Sequence, residues 1–441
     1  MPNHIIIKKK IANFKKKIFI SGDKSISIRW VLFASIASGV SKAKNLLISE
    51  DVLSAINIIK KFGIKVVRKE GFLKIFGKGI NGYNYKKKTI INAGNSATLG
   101  RLILGMIINS TKTIKLIGDK SLSRRDFYRV IKPLNLFGLK IKSKNGKLPI
   151  EFQGNDYLTP ITYFEKKGSA QCKSSVMYAA LNTPGVTKIK AKKSRDHTEI
   201  LFKHLNFPIK IKKSKKFDLI EIKGLHSYSG FNYRIPSDIS SSAFFIVLTL
   251  LSKNSKLIIK NVNINETRTG IIKILKKMNA KIKFKNIRKE MGEKVSDICI
   301  ESSKNYKSIN CPTHYNTQAI DEFLIIFLFA AKAKGVSYFK NLDELNQKES
   351  PRLKIACKFL RMIGIKIIKK RDSIKIYGKP NLKLNGNYIV KNFYKDHRVF
   401  MMSVIAALTL GGNWIIKDMD SINSSFPDFI KKIKFLGAKI N

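Results

Sequence analysis

A short pattern that joins a helical segment to a strand recurs six times along this chain of 441 residues. The copies read FGIKV, FGLKI, FPIKI, MNAKI, IGIKI and LGAKI, with Gly63, Gly138, Pro208, Asn279, Gly364 and Gly437 at their second positions. Glycine or asparagine there suits a left-handed residue that ends a helix and leads directly into a strand, whereas Pro208 simply stops the helix. The pattern predicts six units of helix and strand that are too long to be repeats of a solenoid.

Six units divide into two sets of three, and the length of the chain also favours two domains, because single cores stop growing at about 250–300 residues. A boundary near residue 235, after the third copy, fits this division. Around the first copy, the segment DVLSAINIIKKFG places its apolar residues on one helical face. The next segment, IKVVRKEGFLKIFGKG, has the pattern of two strands joined by a turn. We therefore predict an α/β (α+β) fold with two similar domains.

The formal net charge of +57 suggests a nucleic-acid-binding protein. However, only 14 of the 86 basic residues are arginine, and the lysines are spread along the whole chain. Abundant lysine, isoleucine and asparagine are typical of A/T-rich codons, which explain the charge more simply than a binding surface does. RNA binding stays open as an alternative.

Arginine is informative in a chain that otherwise uses lysine, because its planar guanidinium binds phosphate and carboxylate groups through two parallel hydrogen bonds. Six arginines lie in short stretches rich in Gly, Ser and Lys: Arg29, Arg101, Arg124, Arg125, Arg352 and Arg398. This distribution indicates an anion-binding site assembled from distant segments. The simpler alternative is that these arginines lie on the surface by chance.

Apolar runs, cysteines and histidines disfavour several classes of protein. The longest apolar runs, such as 323–331 and 243–251, are shorter than the ~20 residues of a membrane helix, and no signal-peptide pattern is visible. The four cysteines are dispersed, and the six histidines show no metal-ligand spacing. We expect a soluble cytoplasmic protein with no disulfides, no bound metal and no membrane association.

Small polar residues and cations precede apolar helical runs at several places. These stretches read GDKSISIR (22–29), NAGNSATLGR (92–101), GDKSLSRRD (118–126), GSAQCKSSVMYAAL (168–181), SRDHTE (194–199), QKESPR (347–352) and KDHR (395–398). The first amides of a helix together with Lys or Arg form a good anion site, although a plain N-capped helix start is the alternative for each stretch. The stretch SRDHTE is typical of a capping box led by Ser194.

The stretch AIDEFLIIFLFAA (319–331) differs, because Asp321 and Glu322 stand immediately before an apolar run of nine residues. Carboxylates at the mouth of a buried element, among so many cations, are suited to acid–base chemistry. The alternative is that the two carboxylates only interact favourably with the dipole of the helix that follows them. The residues alone thus favour a two-domain, metal-free transferase that acts on small phosphorylated or carboxylated molecules.

Taken together and in this order, the motifs resemble those of the 5-enolpyruvylshikimate-3-phosphate (EPSP) synthase family over essentially the whole chain. The motifs that carry the resemblance are GDKSISIR, NAGNSATLGR, SLSRR, SAQ, SRDHTE, PSDISSSA, IDE, LNQKESPR and DHR. The resemblance implies two domains of three βαβαββ-like repeats each, an inverse α/β barrel of the enolpyruvyl transferase type. We expect one domain over residues 21–235 and the other over 1–20 plus 236–441, with hinges near 20 and 235.

The resemblance also implies a reaction. The enolpyruvyl (carboxyvinyl) group of phosphoenolpyruvate is transferred to the 5-hydroxyl of shikimate 3-phosphate, with release of phosphate, in chorismate and aromatic amino acid biosynthesis. No cofactor and no metal are expected. The expected partners are the two substrates alone, with no specific nucleic acid and no membrane, and the protein is expected to be a monomer.

Site residues carry over position by position from the resemblance. The shikimate 3-phosphate set is Lys24, Ser25, Arg29, Ser169, Ala170, Gln171, Ser194, Asp321 and Lys348. The phosphoenolpyruvate set is Lys24, Asn95, Ala97, Arg125, Gln171, Arg352 and Arg398. The catalytic set is Lys24, Asp321, Lys348 and Glu349. Asp321 is expected to accept the proton of the 5-hydroxyl, and Lys348 with Glu349 to protonate and then deprotonate the methylene carbon.

Several positions depart from the family's pattern. Ala170 stands where many relatives have a second serine, Asn346 replaces an expected arginine, and Pro351 replaces the usual aspartate of a KESDR-like motif. Ser424 or Ser425 lies where some relatives have a lysine that binds phosphoenolpyruvate.

Ala97 matches a position that is commonly glycine in the family, where it leaves room for the herbicide glyphosate in the phosphoenolpyruvate site. A methyl group there should crowd the inhibitor. We therefore expect poor sensitivity to glyphosate.

Two alternatives share this scaffold. The UDP-N-acetylglucosamine enolpyruvyl transferases resemble it in fold and chemistry, but they would have a reactive cysteine in the loop occupied by GDKSLSRRD and an asparagine in place of Ser25. The other alternative is an RNA-binding or degenerate protein, against which the retained Arg, Asp and Glu positions argue.

Overall fold

The computed structural model describes residues 3–155 and 157–441, which form 22 strands and 13 helices besides four short 3-10 helices. The strands are β1 His4–Ile7, β2 Lys15–Phe19, β3 Ser38–Lys44, β4 Lys65–Lys69, β5 Phe72–Lys78, β6 Thr89–Asn92, β7 Ile114–Ile117, β8 Lys140–Lys144, β9 Lys147–Gln153, β10 Thr162–Glu165, β11 Val186–Lys192, β12 Ile209–Lys213, β13 Phe217–Lys223, β14 Asn232–Arg234, β15 Lys256–Asn263, β16 Lys281–Glu290, β17 Glu293–Glu301, β18 Gly335–Phe339, β19 Ile367–Lys369, β20 Ile374–Gly378, β21 Asn387–Val390 and β22 Asn413–Lys417.

The helices alternate with the strands along the chain. They are α1 Lys24–Ile36, α2 Glu50–Lys61, α3 Ala97–Met106, α4 Tyr128–Asn135, α5 Ala170–Leu181, α6 His197–His204, α7 Ile239–Leu251, α8 Gly270–Lys277, α9 Asn316–Ala319, α10 Phe323–Ala330, α11 Arg352–Met362, α12 His397–Leu410 and α13 Phe429–Phe435.

The chain divides into two compact units. The first unit consists of Gly22–Ile235 together with Lys289–Glu293. The second unit consists of Met1–Ser21, Pro236–Arg288 and Lys294–Asn441. Each unit has its own hydrophobic core.

Each unit contains three sheets built on one plan. In the first unit the strand orders are β14-β3-β5-β4, β6-β7-β9-β8 and β10-β11-β13-β12. In the second unit they are β2-β15-β17-β16, β18-β20-β19 and β21-β22-β1. The first pair of each four-stranded sheet is parallel and the second pair is antiparallel, and in the three sheets of the first unit the last pair is antiparallel as well. The run β6-α3-β7-α4-β8-β9 therefore forms a βαβαββ repeat, and β10 to β13 form another.

The lysine-rich strands have one buried and one exposed face. Along β11, with the sequence VTKIKAK, residues alternate between exposed and buried, so that Ile189 and Ala191 face the core while the lysines face solvent. This is the period of two that a strand with one solvated face requires. The abundant lysine is thus accommodated on the outer faces of the sheets.

Helices occupy the interior of each unit. In the first unit α1, α3 and α5 pack against one another, and in the second unit α7, α10 and α12 do so. These helices are buried on nearly all sides, as the eight apolar residues of α10 illustrate. Helices inside and sheets outside are the arrangement of an inverse α/β barrel, which confirms the predicted fold class. Within the described residues, no helix is both long and apolar enough to cross a membrane.

Six turns from helix to strand were predicted, and in five of them the second residue of the pattern has the expected left-handed backbone. Their left-handed residues are Gly63, Gly138, Asn279, Gly364 and Gly437, whose φ angles lie between 68° and 108°. In the third copy the left-handed residue is Asn206, with φ of 55°, two positions before Pro208. The interpretation that Pro208 alone ends this helix was therefore wrong.

The sixth copy differs from the others after its joint. Within the described residues, the chain beyond Gly437 forms no β-strand. Instead, Asn441 and Ile6 exchange two backbone hydrogen bonds of 2.8 and 3.1 Å. The C-terminus therefore pairs with β1, the strand at the opposite end of the chain.

Candidate active site

The start of α1 places three predicted substrate residues of the first unit. Asp23 caps this helix, because its side chain accepts a hydrogen bond of 2.9 Å from the amide of Ile26. Lys24 and Ser25 follow as the first helical residues, and the Nζ atom of Lys24 lies 3.1 Å from a carboxylate oxygen of Asp51. The stretch GDKSISIR is thus a helix start capped by Asp23, with Lys24 paired to Asp51.

Arg29 is buried one turn further along α1 and joins three helices. Its Nε donates to Thr198 Oγ1 at 2.8 Å, and its Nη2 donates to Ser174 Oγ at 3.1 Å. Its Nη1 donates to the carbonyl oxygen of Ser25 at 3.1 Å. Burial lowers the pKa of Arg29, although the nearby charge of Glu199 partly offsets this effect. The guanidinium is therefore held rigidly by α1, α5 and α6.

The loop NAGNSATLGR ends in α3, whose N-cap is Ser96 with a hydrogen bond of 3.3 Å from the amide of Leu99. Asn95 Oδ1 accepts a hydrogen bond of 3.1 Å from Arg125 Nη2, and Asn95 Nδ2 donates to Asp119 at 2.5 Å. Ala97 is the first residue of α3 and is 8% exposed. The structure thus brings together two residues predicted to bind phosphoenolpyruvate, Asn95 and Arg125, beside a helix N-terminus.

Gln171 is positioned from α3, although it belongs to α5. Its side-chain oxygen accepts a hydrogen bond from Arg101 Nη1, and its Nε2 donates to Thr98 Oγ1 at 3.0 Å. Arg101 also donates to the carbonyl oxygen of Asp126 at 2.9 Å. Burial lowers the pKa of Arg101 to about 10, so this guanidinium remains charged at neutral pH. Arg101 is thus a support for a predicted ligand residue.

The start of α5 contains Ser169 and Ala170. Ser169 is the N-cap and accepts a hydrogen bond of 3.3 Å from the amide of Cys172. The preceding loop is held by Glu165, whose carboxylate accepts hydrogen bonds from the amides of Lys167 and Gly168 at 3.1 and 2.6 Å. Burial raises the pKa of Glu165 in spite of these hydrogen bonds.

Ser194 is buried, and its Oγ has no hydrogen-bond partner among residues 3–155 and 157–441. The helix α6 begins at His197 after Asp196, and the predicted capping box led by Ser194 was therefore wrong. His197 instead contacts Glu293 of the same unit, with Nδ1 and Oε1 2.6 Å apart and both side chains buried.

The second unit brings its predicted catalytic residues together around one guanidinium. Arg352 is 1% exposed and contacts three carboxylates. Its Nη2 lies 2.5 Å from Glu349, its Nη1 lies 3.4 Å from Asp321, and its Nε lies 2.9 Å from Asp396. Lys348 Nζ is 3.4 Å from the same Asp321 oxygen. Two cations and two partly exposed carboxylates, Asp321 and Glu349, therefore share one site.

Arg398, the last predicted phosphoenolpyruvate residue, lies at the same place. Its Nη1 donates to the backbone carbonyl oxygen of Asp321 at 2.9 Å. It belongs to the first turn of α12, whose N-cap is Asp396. All five predicted residues of the second unit therefore lie in one cluster.

Asp396 is the residue of this cluster to which the sequence analysis gave no role. It is fully buried and accepts hydrogen bonds from Ser350 Oγ at 2.7 Å and from the amide of Arg398 at 3.0 Å. Burial, the largest single effect, would raise its pKa, but the charge of Arg352, the neighbouring His397 and the hydrogen bond from Arg352 together outweigh burial and lower the pKa of Asp396. Its place in the stretch KDHR, next to Arg398, was the available signal.

The positions that depart from the family's pattern have simple local roles. Pro351 occupies the N-cap position of α11, directly before Arg352. Asn346 lies exposed in a 3-10 helix over Asp343–Gln347. Ser424 Oγ lies 3.3 Å from the Nδ1 atom of His397, the residue that precedes Arg398.

Chemically, the predicted site residues of the two units combine helix N-termini, fixed cations and carboxylates that differ in burial. Such groups bind anions and transfer protons. In the part of the chain that the structure describes, no group of three or more His, Cys, Asp or Glu side chains is arranged to hold a metal ion.

The fold is that of an enolpyruvyl transferase. The enolpyruvyl transferase NikO from Streptomyces tendae shares it with a TM-score of 0.78 at 14% sequence identity, covering 100% of this chain and 99% of that chain. The similarity to EPSP synthase from Acinetobacter baumannii is greater, with a TM-score of 0.87, 32% identity and 99% of both chains covered.

Sequence relatives define the family. A 3-phosphoshikimate 1-carboxyvinyltransferase from Ruthia magnifica subsp. Calyptogena magnifica is 38% identical over 427 residues, which are 96% of this chain and 95% of that protein. The family model described as EPSP synthase (3-phosphoshikimate 1-carboxyvinyltransferase) matches residues 8–433. The chain therefore belongs to the EPSP synthase family, which confirms the resemblance recognised from the motifs.

Proposed function

We propose that this protein transfers the enolpyruvyl group of phosphoenolpyruvate to the 5-hydroxyl of shikimate 3-phosphate and releases phosphate. Membership of the EPSP synthase family supports this reaction. The observation that carries the proposal is the cluster of the second unit. In it, the carboxylates of Asp321 and Glu349 and the ammonium of Lys348 gather around the single buried guanidinium of Arg352.

The first unit supplies binding groups for the two anions. We propose that Arg29, Ser25 and Ser194 hold shikimate 3-phosphate, because Arg29 is fixed by three helices and the Ser194 hydroxyl is buried without a partner in the described chain. Ser169, Ala170 and Gln171 at the start of α5 are assigned to the same ligand. Asn95, Ala97 and Arg125 are assigned to phosphoenolpyruvate, and Lys24 and Gln171 to both substrates. Guanidinium and amide groups fixed in this way position an anion before the reaction begins.

The second unit supplies the acid and the base. The 5-hydroxyl oxygen bonds to the substituted carbon of phosphoenolpyruvate, Asp321 accepts the hydroxyl proton, and the methylene carbon receives a proton from Lys348 or Glu349. The product of this step is a tetrahedral ketal. Breaking of its carbon–oxygen bond then releases phosphate, which takes up the proton held by Asp321, and removal of a proton from the new methyl group restores the double bond. One of the three methyl protons is thus taken up by the same pair of residues that supplied a proton to carbon.

Binding of an anion to Arg352 and Arg398 also changes the surroundings of the two carboxylates. Asp396 accepts hydrogen bonds from Nε and Nη2 of Arg352, whereas Nη1 contacts Asp321 and Nη2 also contacts Glu349. An anionic substrate that binds Nη1 and Nη2 competes with these carboxylates for the same donors. We propose that substrate binding in this way releases Asp321 and Glu349 for proton transfer.

We further propose that the two units are the two three-repeat domains. Their bounds are close to those expected from the repeats, with residues 22–235 in one unit and residues before 22 in the other.

The experiment is to measure phosphate release from phosphoenolpyruvate in the presence of shikimate 3-phosphate. The wild-type protein is expected to release phosphate, and Asp321→Ala and Glu349→Gln are each expected to lose at least about a hundredfold in kcat. Glu301→Gln is a matched control, since Glu301 forms an exposed ion pair with Lys256 at 3.2 Å in the same unit. No release by the wild type would refute the function, and full activity of both variants would refute the acid–base assignment.

A further inference from the structure

A second carboxylate lies beside Asp321 and points into the second unit. Glu322 is the N-cap residue of α10, and its side chain is 0% exposed. Its Oε1 accepts a hydrogen bond from the Ser240 hydroxyl at the start of α7 and lies 3.9 Å from Nη1 of Arg398. A buried ionised carboxylate persists only when it is paired, so these contacts define its role.

The network extends through Ser240 to a buried arginine. Arg268 donates from Nη2 to Ser240 Oγ at 2.8 Å and lies 3.5 Å from a carboxylate oxygen of Asp238. Asp238 in turn caps α7 through the amides of Ser240 and Ser241 at 2.6 and 3.3 Å. Two arginines and two carboxylates thus neutralise one another in the interior, between α7, α10 and α12.

Arg398 is held at two points of one turn. Its Nη1 donates to the carbonyl oxygen of Asp321 at 2.9 Å and faces the carboxylate of Glu322 in the next residue. Without that carboxylate, the hydrogen bond to the carbonyl oxygen is the remaining side-chain polar contact of Arg398 among the described residues. The carboxylate gives Nη1 a second, anionic partner on the same turn, beside the backbone that bears the proposed base, Asp321.

We propose that Glu322 is a positioning residue for phosphoenolpyruvate binding, acting through Arg398. It holds the guanidinium plane of Arg398 in the orientation that binds a carboxylate or phosphate with two parallel hydrogen bonds. Glu322 itself is buried behind Arg398 and does not touch the substrate. The inference rests on the proposed function, since it assigns Arg398 to phosphoenolpyruvate.

The test is Glu322→Gln, which keeps the size of the side chain and an oxygen acceptor but removes the charge. The expected result is a rise of about tenfold in KM for phosphoenolpyruvate, with KM for shikimate 3-phosphate changed less than about twofold, because misplacement of one binding group weakens only its own ligand. An unchanged or lower KM for phosphoenolpyruvate overturns the inference, since it means that Glu322 acts only as a nearby negative charge or not at all.

A double-mutant cycle separates positioning from a loss of stability. Lysine has no planar fork to orient, so adding Glu322→Gln to Arg398→Lys is expected to change kcat/KM for phosphoenolpyruvate less than about twofold further. If Glu322→Gln lowers kcat/KM for phosphoenolpyruvate a further tenfold in the Arg398→Lys protein, the inference is overturned, because Glu322 then does not act through Arg398.

Asp297→Asn is the matched control for a buried carboxylate of the same unit. Asp297 is 2% exposed and pairs with Lys260 and the amide of Asn261, away from the proposed site residues. This variant is expected to lower Tm as Glu322→Gln does while leaving both KM values unchanged. If it raises KM for phosphoenolpyruvate equally, the effect is one of general stability and the inference is wrong.

The same assays distinguish the two proposals. Phosphate release by the wild type with unchanged kinetics of Glu322→Gln overturns the positioning role and leaves the proposed function standing. Absence of phosphate release by the wild type overturns the proposed function, and the positioning role is then wrong as well.

Discussion

Arg352 donates to both oxygens of Asp396, from Nε to Oδ2 at 2.9 Å and from Nη2 to Oδ1 at 3.3 Å. Both side chains are buried, and Asp396 also accepts a hydrogen bond from the amide of Arg398. One carboxylate therefore fixes the side chain of one proposed phosphoenolpyruvate residue and the backbone of the other.

The first prediction concerns this pair. Asp396→Asn removes the charge that compensates Arg352, and breaking a buried ion pair in this way costs about 3–5 kcal/mol of stability. We expect a Tm several degrees lower and a rise of at least about tenfold in KM for phosphoenolpyruvate, because both arginines lose their support. Steady-state kinetics and thermal unfolding measure the two effects. A normal KM in a destabilised variant would mean that Asp396 supports only the fold.

The second prediction concerns pH. Burial raises the pKa of Asp396, but the charge of Arg352, the neighbouring His397 and the hydrogen bond from Arg352 together bring it below the ordinary value of 3.8 in the folded protein. A carboxyl group of this kind stabilises the fold above its unfolded pKa, and this stabilisation is lost as pH falls through the folded pKa. The difference in Tm between the wild type and Asp396→Asn is therefore expected to be constant above about pH 5 and to narrow below about pH 4. A difference that stays constant down to about pH 3 would contradict this origin.

The fold was largely predictable because each turn from helix to strand is indicated by a short, local sequence pattern. A glycine or asparagine after a helical segment, followed by alternating apolar residues, indicates the turn from helix to strand wherever it occurs, and Gly63 and Gly364 behave as expected. The third joint was misread because the left-handed residue, Asn206, lies outside the aligned pentapeptide. The pairing of Asn441 with Ile6 joins opposite ends of the chain, and no local pattern indicates such a contact.

The motifs predicted which residues of the second unit lie together but not the contacts between them. The motifs named Arg352 and Arg398 as anion-binding residues, and the structure places both beside Asp321. Their shared partner, Asp396, is 44 residues from Arg352 in the sequence, and its role depends on burial that composition does not reveal. The buried contact of His197 with Glu293, separated by 96 residues, was missed for the same reason.

The third prediction concerns Ala97, the first residue of α3. If its methyl group crowds glyphosate, Ala97→Gly is expected to lower the inhibition constant of glyphosate by about 5- to 150-fold, the equivalent of an overpacking penalty of about 1–3 kcal/mol. Glycine at this helical position should cost no more than about 1 kcal/mol of stability. The measurement is glyphosate competition with phosphoenolpyruvate in the phosphate-release assay.

Ala170→Gly is the matched control for Ala97→Gly. Ala170 is also the first residue of a helix that follows a serine N-cap, but it is assigned to shikimate 3-phosphate. This variant is expected to leave glyphosate inhibition unchanged. Equal inhibition of the wild type and Ala97→Gly would show that the methyl group does not exclude the herbicide.

The fourth prediction concerns the support of Gln171 by α3. Thr98→Val keeps the shape of the side chain but removes the hydroxyl that accepts a hydrogen bond of 3.0 Å from Gln171 Nε2. Because Gln171 is assigned to both substrates, we expect both KM values to rise about 2- to 12-fold, the equivalent of one hydrogen bond of about 0.5–1.5 kcal/mol. Thr183→Val is the control, since its hydroxyl donates only to the carbonyl of Ala179 at 3.0 Å, beyond the C-terminal end of α5. A rise in KM for only one substrate would assign Gln171 to that substrate alone, and no rise for either would remove it from the site.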